Sequence, residues 1–231
     1  MAKQNQIAYT LIRTKRKSIA IYVKDAQVLV RAPLAASKKY IDTFVESNGE
    51  WINSRLAEAK EKLVERQQFS LTYGDSVPYW GREIQIVAGE GDSYGYDRET
   101  DSFYMPPNMD DGEIKSVCIQ IYRMIGKADL IQQTVWYANK MGVKPKDIKV
   151  SSAKTRWGSC SAKQNLNFSW RLLAGDSYVI DYVIVHELAH LKEMNHSPNF
   201  WRIVGRILPD YKKRMDALNT LHDKLSRQNW D

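Results

Sequence analysis

Residues 182–201 read YVIVHELAHLKEMNHSPNFW, and this run contains three of the four histidines of the chain. On an α-helix, residues four apart lie on one face, so His186 and His190 point in the same direction. Glu187 lies on the flank of that face. Two imidazoles at this spacing can chelate one ion, and a carboxylate beside the first can accept a proton from a water on that ion. The H-E-x-x-H pattern therefore predicts a zinc site with the chemistry of a metallopeptidase.

The sequence offers two candidates for the third protein ligand that a catalytic zinc ion usually takes. His196 lies ten residues after His186, the spacing of H-E-x-x-H-x-x-G-x-x-H enzymes, although Glu193 occupies their glycine position. Glu193 would return to nearly the same helix face as His186, but its Cα would stand about 10.5 Å further along the axis. We therefore prefer His196, which can approach the ion from a separate direction.

This choice requires the chain to turn between the first helix and His196. Asn195 tolerates left-handed backbone geometry, so we expect the turn near it. Ser197 and Pro198 then fit the N-cap and the first residue of a new helix.

Two further segments carry a resemblance to a known family. Residues 154–160 read KTRWGSC, and residues 166–172 read LNFSWRL. Together with the histidine run, they resemble the YgjP-like metallopeptidases, which are relatives of the SprT-like and Spartan proteases. The likeness extends more weakly from about Arg16 to about Leu225. The resemblance implies a zinc metalloendopeptidase acting on protein or peptide substrates, with one zinc ion per chain, Glu187 as general base, and the ligands His186, His190 and His196.

We expect strands at residues 148–150 and 166–173, on either side of a turn at residues 157–159. In zinc peptidases of this class, an exposed edge strand beside the metal commonly holds extended substrate by main-chain pairing, and residues 167–171 are the candidate. The candidate substrate-binding residues are Trp157, Asn167, Ser169 and Arg171. The sequence pattern fits an ordinary core strand equally well.

Composition limits the class of protein. The chain has 231 residues, of which 43% are hydrophobic, as expected for a globular protein. No apolar run approaches the ~18 residues of a membrane span, and the N-terminal MAKQNQ lacks the apolar core of a signal peptide. We therefore expect a cytoplasmic protein without a membrane partner. Cys118 and Cys160 are too few for a disulfide framework.

The net charge of +7 is unevenly distributed, with an acidic segment at residues 71–112 between two basic ends. A basic face makes DNA or another polyanion a candidate partner, although most charged segments are solvated surface. The alternative function is a non-catalytic, zinc-containing module associated with nucleic acid. Glu187 argues against this alternative, because a purely structural site needs no base beside its ligand.

The hydrophobic patterns predict an α+β protein. Alternation of apolar and polar residues within 7–32 predicts a β-hairpin. We expect a helix that begins at Ser37 and bends at Gly49. The pattern of residues 71–107 predicts a small antiparallel sheet that continues the hairpin. Helical spacing predicts a helix over 113–141 that stops at Gly142, and a zinc helix starting near Asp176. We expect two domains: residues 1–112 as a β-rich N-terminal lobe with one long helix, and residues 113–231 as a zincin-like metallopeptidase core containing the HExxH helix.

Overall fold

The computed structural model describes residues 7–230, and this range contains six α-helices and three small sheets. The predicted α+β class is confirmed. Contacts divide the chain into two compact units. The first contains the residues up to Phe69 together with Ser226–Asn229, and the second contains Ser70–Leu225 together with Trp230. No helix in the described range is both long and apolar enough to span a membrane.

The first unit contains a three-stranded sheet and two helices. Their bounds are β1 Thr10–Thr14, β2 Ala20–Lys24, β3 Gln27–Pro33, α1 Lys38–Ser47 and α2 Gly49–Gln68. The predicted hairpin is present, since β2 pairs antiparallel with β3 through the turn residues Asp25 and Ala26, which have φ of 49° and 55°. β1 adds parallel to β3, which becomes the central strand. The buried residues of this unit are Val28, Val30, Ala32, Ile41, Val45 and Ile52.

The predicted helix after Ser37 is two helices. The Ser37 side chain accepts a hydrogen bond from the Tyr40 amide at 3.2 Å and caps α1. α1 ends at Ser47, and α2 begins at Gly49, so the expected bend is a helix break at Asn48.

The second unit begins with a four-stranded sheet that differs from our expectation. Its strands are β4 Ser76–Tyr79, β5 Arg82–Ala88, β6 Gly95–Asp97 and β7 Ser102–Met105, in the order β4-β5-β7-β6. The sheet is separate from the hairpin sheet, and β5 pairs parallel with β7, so the expectation of an antiparallel continuation was wrong. Along the chain, β6 precedes β7. In the sheet, β7 lies between β5 and β6, parallel to β5 and antiparallel to β6.

Helix α3, Asp111–Met141, covers this sheet and confirms the predicted long helix. Asp110 and Glu113 form a capping box at its start, and Gly142 ends it with a left-handed φ of 62°. The Tyr122 hydroxyl donates to the Pro78 carbonyl. Because the four-stranded sheet packs on α3, the boundary between the units lies at residue 69, and not at residue 112 as expected.

The third sheet leads to the histidine run. Its strands are β8 Asp147–Ser151, β9 Gly158–Cys160 and β10 Asn165–Ser169, in the order β8-β10-β9. Residues 158–160 are therefore a strand, where we expected a turn. A 3-10 helix at Trp170–Ala174 replaces the end of the predicted strand, and α4 Ser177–Ala189, α5 Pro198–Ile207 and α6 Tyr211–Ser226 follow.

Candidate metal centre

Helix α4 places His186 and Glu187 in its last turn and His190 at its C-cap. Asp176 caps the helix start by accepting a hydrogen bond from the Val179 amide at 3.0 Å, as predicted. The helix is apolar nearly all round, and its buried residues include Ile180, Val183, Ile184, Val185 and Leu188. Such a helix is enclosed by protein, so its polar side chains lie in a protected environment.

Two hydrogen bonds join α4 and its continuation to α3. The Gln133 amide donates to Asp181 at 2.7 Å, and the Lys192 ammonium donates to the Met141 carbonyl at 2.6 Å. They fix both the helix and the start of the following turn, so the end of α4 has a defined position.

The turn after α4 brings His196 back toward the helix. The amides of Lys192 and Glu193 both donate to the Ala189 carbonyl at 3.0 Å, which closes the end of α4. The chain bends at Met194 and Asn195, as expected, but Asn195 is not among the described residues with positive φ, so its backbone is not left-handed. Its carbonyl instead accepts a hydrogen bond from the Ser197 amide at 2.7 Å.

α5 begins as the sequence predicts. The Ser197 side chain accepts a hydrogen bond from the Phe200 amide, and Pro198 occupies the first turn. This start fixes the residue before it, His196, beside α4.

The three histidines of the run meet in one cluster. One nitrogen from each of His186, His190 and His196 lies within 4.8 Å of the other two. The Nε2 atoms of His186 and His196 are 3.1 Å apart. Glu193 is not in this cluster of the described residues, and its backbone carbonyl lies 3.2 Å from Nδ1 of His190.

Burial lowers the pKa of two imidazoles of the cluster, those of His186 and His190. The pKa of His186 falls to about 3, first because the ring is buried and second because His190 and His196 lie beside it. Burial also lowers the pKa of His190, although the hydrogen bond to the Glu193 carbonyl acts in the opposite direction. A carbonyl can only accept, so the His190 proton sits on Nδ1 and leaves the Nε2 lone pair free. Neutral imidazoles with free lone pairs are the form that binds metal ions.

The cluster fits a transition-metal ion. Imidazole nitrogen is a preferred ligand of such ions. In a tetrahedral site with metal–nitrogen distances of about 2.0–2.1 Å, two ligand nitrogens stand about 3.3 Å apart, close to the 3.1 Å between His186 and His196. The described residues supply three histidines to the cluster and no further Cys, Asp or Glu. Three protein ligands with an open position are typical of a catalytic site.

Glu187 directly follows His186 in α4, and its side chain lies against β9. Its side chain is buried, with 6% exposure, and burial raises its pKa to about 7, while the positive charge of Arg156 acts in the opposite direction. A Cβ atom built on Gly158 would lie 2.8 Å from Oε1 of Glu187. The carboxyl group is therefore in direct contact with the backbone of β9.

Aromatic rings from α5 enclose the other side of the histidines. Phe200 is fully buried, and its ring centroid is 4.9, 4.6 and 4.8 Å from those of His186, His190 and His196. Trp201 stacks on His196 with centroids 5.8 Å apart. The sequence pattern did not predict that these two rings would lie against the histidines.

An open cavity lies between Trp201 of α5 and the first residues of α6. It has a volume of about 380 Å³ and is lined by Trp201, Tyr211, Lys212, Met215 and Asp216. Tyr211 stacks on Trp201 with the ring centroids 5.3 Å apart. Trp201 therefore lines this cavity and also stacks on His196.

The candidate substrate-binding residues of β10 are engaged inside the protein. The Asn167 amide donates to the Ser151 hydroxyl at 2.9 Å, and the Ser169 hydroxyl donates to the Ala153 carbonyl at 2.7 Å. β10 pairs with β8 on one side and β9 on the other, so the expectation of an edge strand at these residues was wrong. β10 is instead a core strand, which is the alternative that the sequence pattern fitted equally well.

The other two candidates lie outside the histidine cluster. Arg171 is in the 3-10 helix, with its guanidinium 4.8 Å from the Trp170 ring centroid. The Trp157 carbonyl accepts a hydrogen bond from the Ser169 amide, and its ring contacts His222. Substrate binding by these side chains stays a prediction.

The described residues form an α+β fold with a three-histidine cluster that could hold a metal ion, and a buried carboxylate follows the first of these histidines in α4. Residues 17–221 match the family described as "YgjP-like, metallopeptidase domain", and the chain belongs to this family. The match confirms the resemblance seen in the sequence. No curated protein matches the chain.

The solved structures that are similar to part of the chain include the following two. Both are metallopeptidase zymogens, abylysin from Pyrococcus abyssi and jannalysin from Methanocaldococcus jannaschii. Abylysin is 22% identical, with a TM-score of 0.38, over 43% of this chain and 98% of its own. Jannalysin is 19% identical, with a TM-score of 0.37, over 42% of this chain and 96% of its own.

Proposed function

We propose that the protein is a zinc metalloendopeptidase that hydrolyses peptide bonds in protein or peptide substrates. In this proposal, His186, His190 and His196 hold one zinc ion per chain, and Glu187 is the general base. The observation that carries the proposal is the approach of the His186 and His196 Nε2 atoms to 3.1 Å, with the buried Glu187 directly after His186 in α4. Membership of a metallopeptidase family supports it.

Each residue of the site has a separate role in the proposed reaction. When bound, a zinc ion would supply Lewis-acid polarisation of the scissile carbonyl and of a water molecule. Glu187 accepts the proton of that water at a carboxylate oxygen and later donates it to the leaving amine. His190 is oriented by the Glu193 carbonyl, and Phe200 excludes water from the inner side of the cluster.

β9 is the strand that best fits an extended substrate. Among the described strands it pairs only with β10, so its other edge carries unpaired backbone groups. It packs against α4, the helix that carries His186 and Glu187. An extended peptide that added to this edge would lie beside the metal centre. The cavity at Trp201 and Tyr211 would then accept an apolar substrate side chain.

The non-catalytic alternative has less support. A closed structural site requires four protein ligands, whereas the cluster among residues 7–230 contains three. Burying a carboxylate next to the ligands also costs free energy, and a purely structural metal site does not need that carboxylate.

The test is hydrolysis of a quenched-fluorescent peptide library by the purified protein with one equivalent of zinc. We expect cleavage that stops on removal of zinc by a chelator and returns when zinc is restored. Zinc binding without cleavage of any peptide or unfolded protein would favour the structural alternative.

A further inference from the structure

We propose that Gly158 is a positioning residue for Glu187, because the carboxyl group occupies the space where any other residue would have its Cβ atom. The mechanistic part of this inference rests on the proposed function, whereas the contact itself does not. A Cβ atom on Gly158 would lie 2.7 Å from Cγ, 2.8 Å from Oε1 and 3.0 Å from Cδ of Glu187. Distances below 3.0 Å are essentially never seen for real Cβ atoms. Only glycine therefore lets the carboxyl group stay where it is.

The backbone conformation does not explain the glycine. Gly158 is not among the glycines with positive φ, so an alanine could adopt its backbone angles. Glycine inside a strand weakens the strand, and it commonly marks a place where another group approaches the backbone closely. Here the approaching group is the Glu187 side chain, and the requirement is for space.

The strand that carries Gly158 is held in place on its far side. Gly158 stands opposite Phe168 of the central strand β10, and Phe168 is fully buried. Immediately before it, the Trp157 carbonyl accepts a hydrogen bond from the Ser169 amide at 2.8 Å. β9 cannot retreat without breaking this pairing.

The helix that carries Glu187 is held as well. Its neighbours on α4, Val185 and Leu188, are fully buried. When two fixed backbones enclose one flexible side chain, an added methyl group displaces the side chain. A Gly158→Ala substitution therefore moves the Glu187 carboxyl group and leaves the histidines in place. A misplacement of about 1 Å at a catalytic group can cost about 100-fold in rate.

The first experiment measures stability and needs neither metal nor activity. Gly158→Ala is made in the wild-type chain and in Glu187→Ala, where Cγ and the carboxyl group are absent. We expect the substitution to lower Tm by about 2–6 °C in the wild-type chain, as overpacking does in a domain of this size. In Glu187→Ala we expect no decrease, since the added methyl group then has space.

Equal decreases in the two backgrounds would overturn the proposal, because the methyl group would then clash with something other than Glu187. If Gly158→Ala alone does not fold, the double variant decides. The proposal requires the double variant to fold as well as Glu187→Ala, and its failure to fold would also overturn the proposal.

The second experiment measures catalysis and zinc content. We expect Gly158→Ala to bind one zinc ion and to lose kcat by about 10-fold or more, with KM within about 2-fold. The control is Gly126→Ala, whose Cβ would lie 2.0 Å from Cδ1 of Leu173, a residue outside the histidine cluster. This control should lose stability and keep the kcat of the folded enzyme. An unchanged kcat in Gly158→Ala would contradict a role for Gly158 in positioning Glu187.

These experiments separate the two proposals. If the wild-type protein cleaves no peptide, the proposed function fails, but the stability comparison still tests the contact between Gly158 and Glu187. If peptides are cleaved and the two stability decreases are equal, only the inference about Gly158 fails.

Discussion

His186 and His196 bring their Nε2 atoms to 3.1 Å of each other although ten residues separate them in the chain. His186 is in the last turn of α4, whereas His196 immediately precedes the Ser197 cap of α5. Two neutral imidazole nitrogens at this distance would face each other with their lone pairs unless one carries a proton. An ion shared between them removes this conflict, so the pair is the clearest mark of a metal centre in the structure.

The first prediction concerns the third ligand. We expect His196→Ala to weaken zinc binding by at least 100-fold, because only two of the three nitrogens would remain. Glu193→Ala should bind zinc almost as the wild-type protein does, since the interaction of Glu193 with His190 uses the backbone carbonyl, which alanine retains. Competition titration with a zinc chelator measures both affinities. If Glu193→Ala is the variant that loses zinc, the third ligand is Glu193 and not His196.

The second prediction concerns the general base. Glu187→Gln should retain one zinc ion per chain, while peptide hydrolysis falls by about 100-fold or more, the usual scale for the loss of a general base. Glutamine has nearly the same size as glutamate and cannot accept the proton of the water. Zinc analysis and kcat/KM on the same preparation provide the measurement. Equal turnover in variant and wild type would remove Glu187 from the mechanism.

The third prediction concerns the coupling of metal binding to stability. A ligand that binds only the folded protein, and is present at a free concentration of 100 times its Kd, adds about 2.7 kcal/mol to the free energy of unfolding. We therefore expect zinc to raise the Tm of the metal-free protein by several degrees. His196→Ala should show a much smaller increase under the same conditions. An equal increase in the variant would place the stabilising zinc at another site.

The fourth prediction concerns the packing of α3. Gly126 is buried in the middle of this helix, and a Cβ there would meet Cδ1 of Leu173 at 2.0 Å. We expect Gly126→Ala to lower the free energy of unfolding by about 1–3 kcal/mol through overpacking. Gly112→Ala is a matched control in the exposed first turn of the same helix, where a Cβ would meet only ordinary contacts. The control should be neutral or stabilising by up to about 1 kcal/mol in urea unfolding.

The fifth prediction concerns the attachment of α6 to α4. Arg214 donates to the Asp210 carboxylate and to the Tyr178 carbonyl, both at 2.9 Å, and its guanidinium lies 4.1 Å from the Tyr178 ring centroid. The side chain is only 15% exposed. We expect Arg214→Ala to cost about 2 kcal/mol of stability, whereas the exposed Arg206→Ala should stay within about 0.5 kcal/mol. Similar unfolding curves for the two variants would contradict a structural role for Arg214.

Features that depend on neighbouring residues were predictable from the amino-acid order. Helix caps and stops need only a side chain and the backbone within one turn, so Asp176, Ser197 and Gly142 indicated helix ends that the structure confirms. The spacing of His186 and His190 likewise depends on helix geometry alone. The family was recognisable for the same reason, because its characteristic segments are short and contiguous.

Features that depend on contacts between distant residues were not predictable in this way. Period-two alternation marks residues as strand but carries no information on which strand lies beside which. The position of β10 in the middle of its sheet, the parallel pairing of β5 with β7, and the grouping of residues 70–112 with α3 follow from packing among separate elements. The same is true of the space beside Gly158, which only the approach of α4 to β9 fills with the Glu187 carboxyl group.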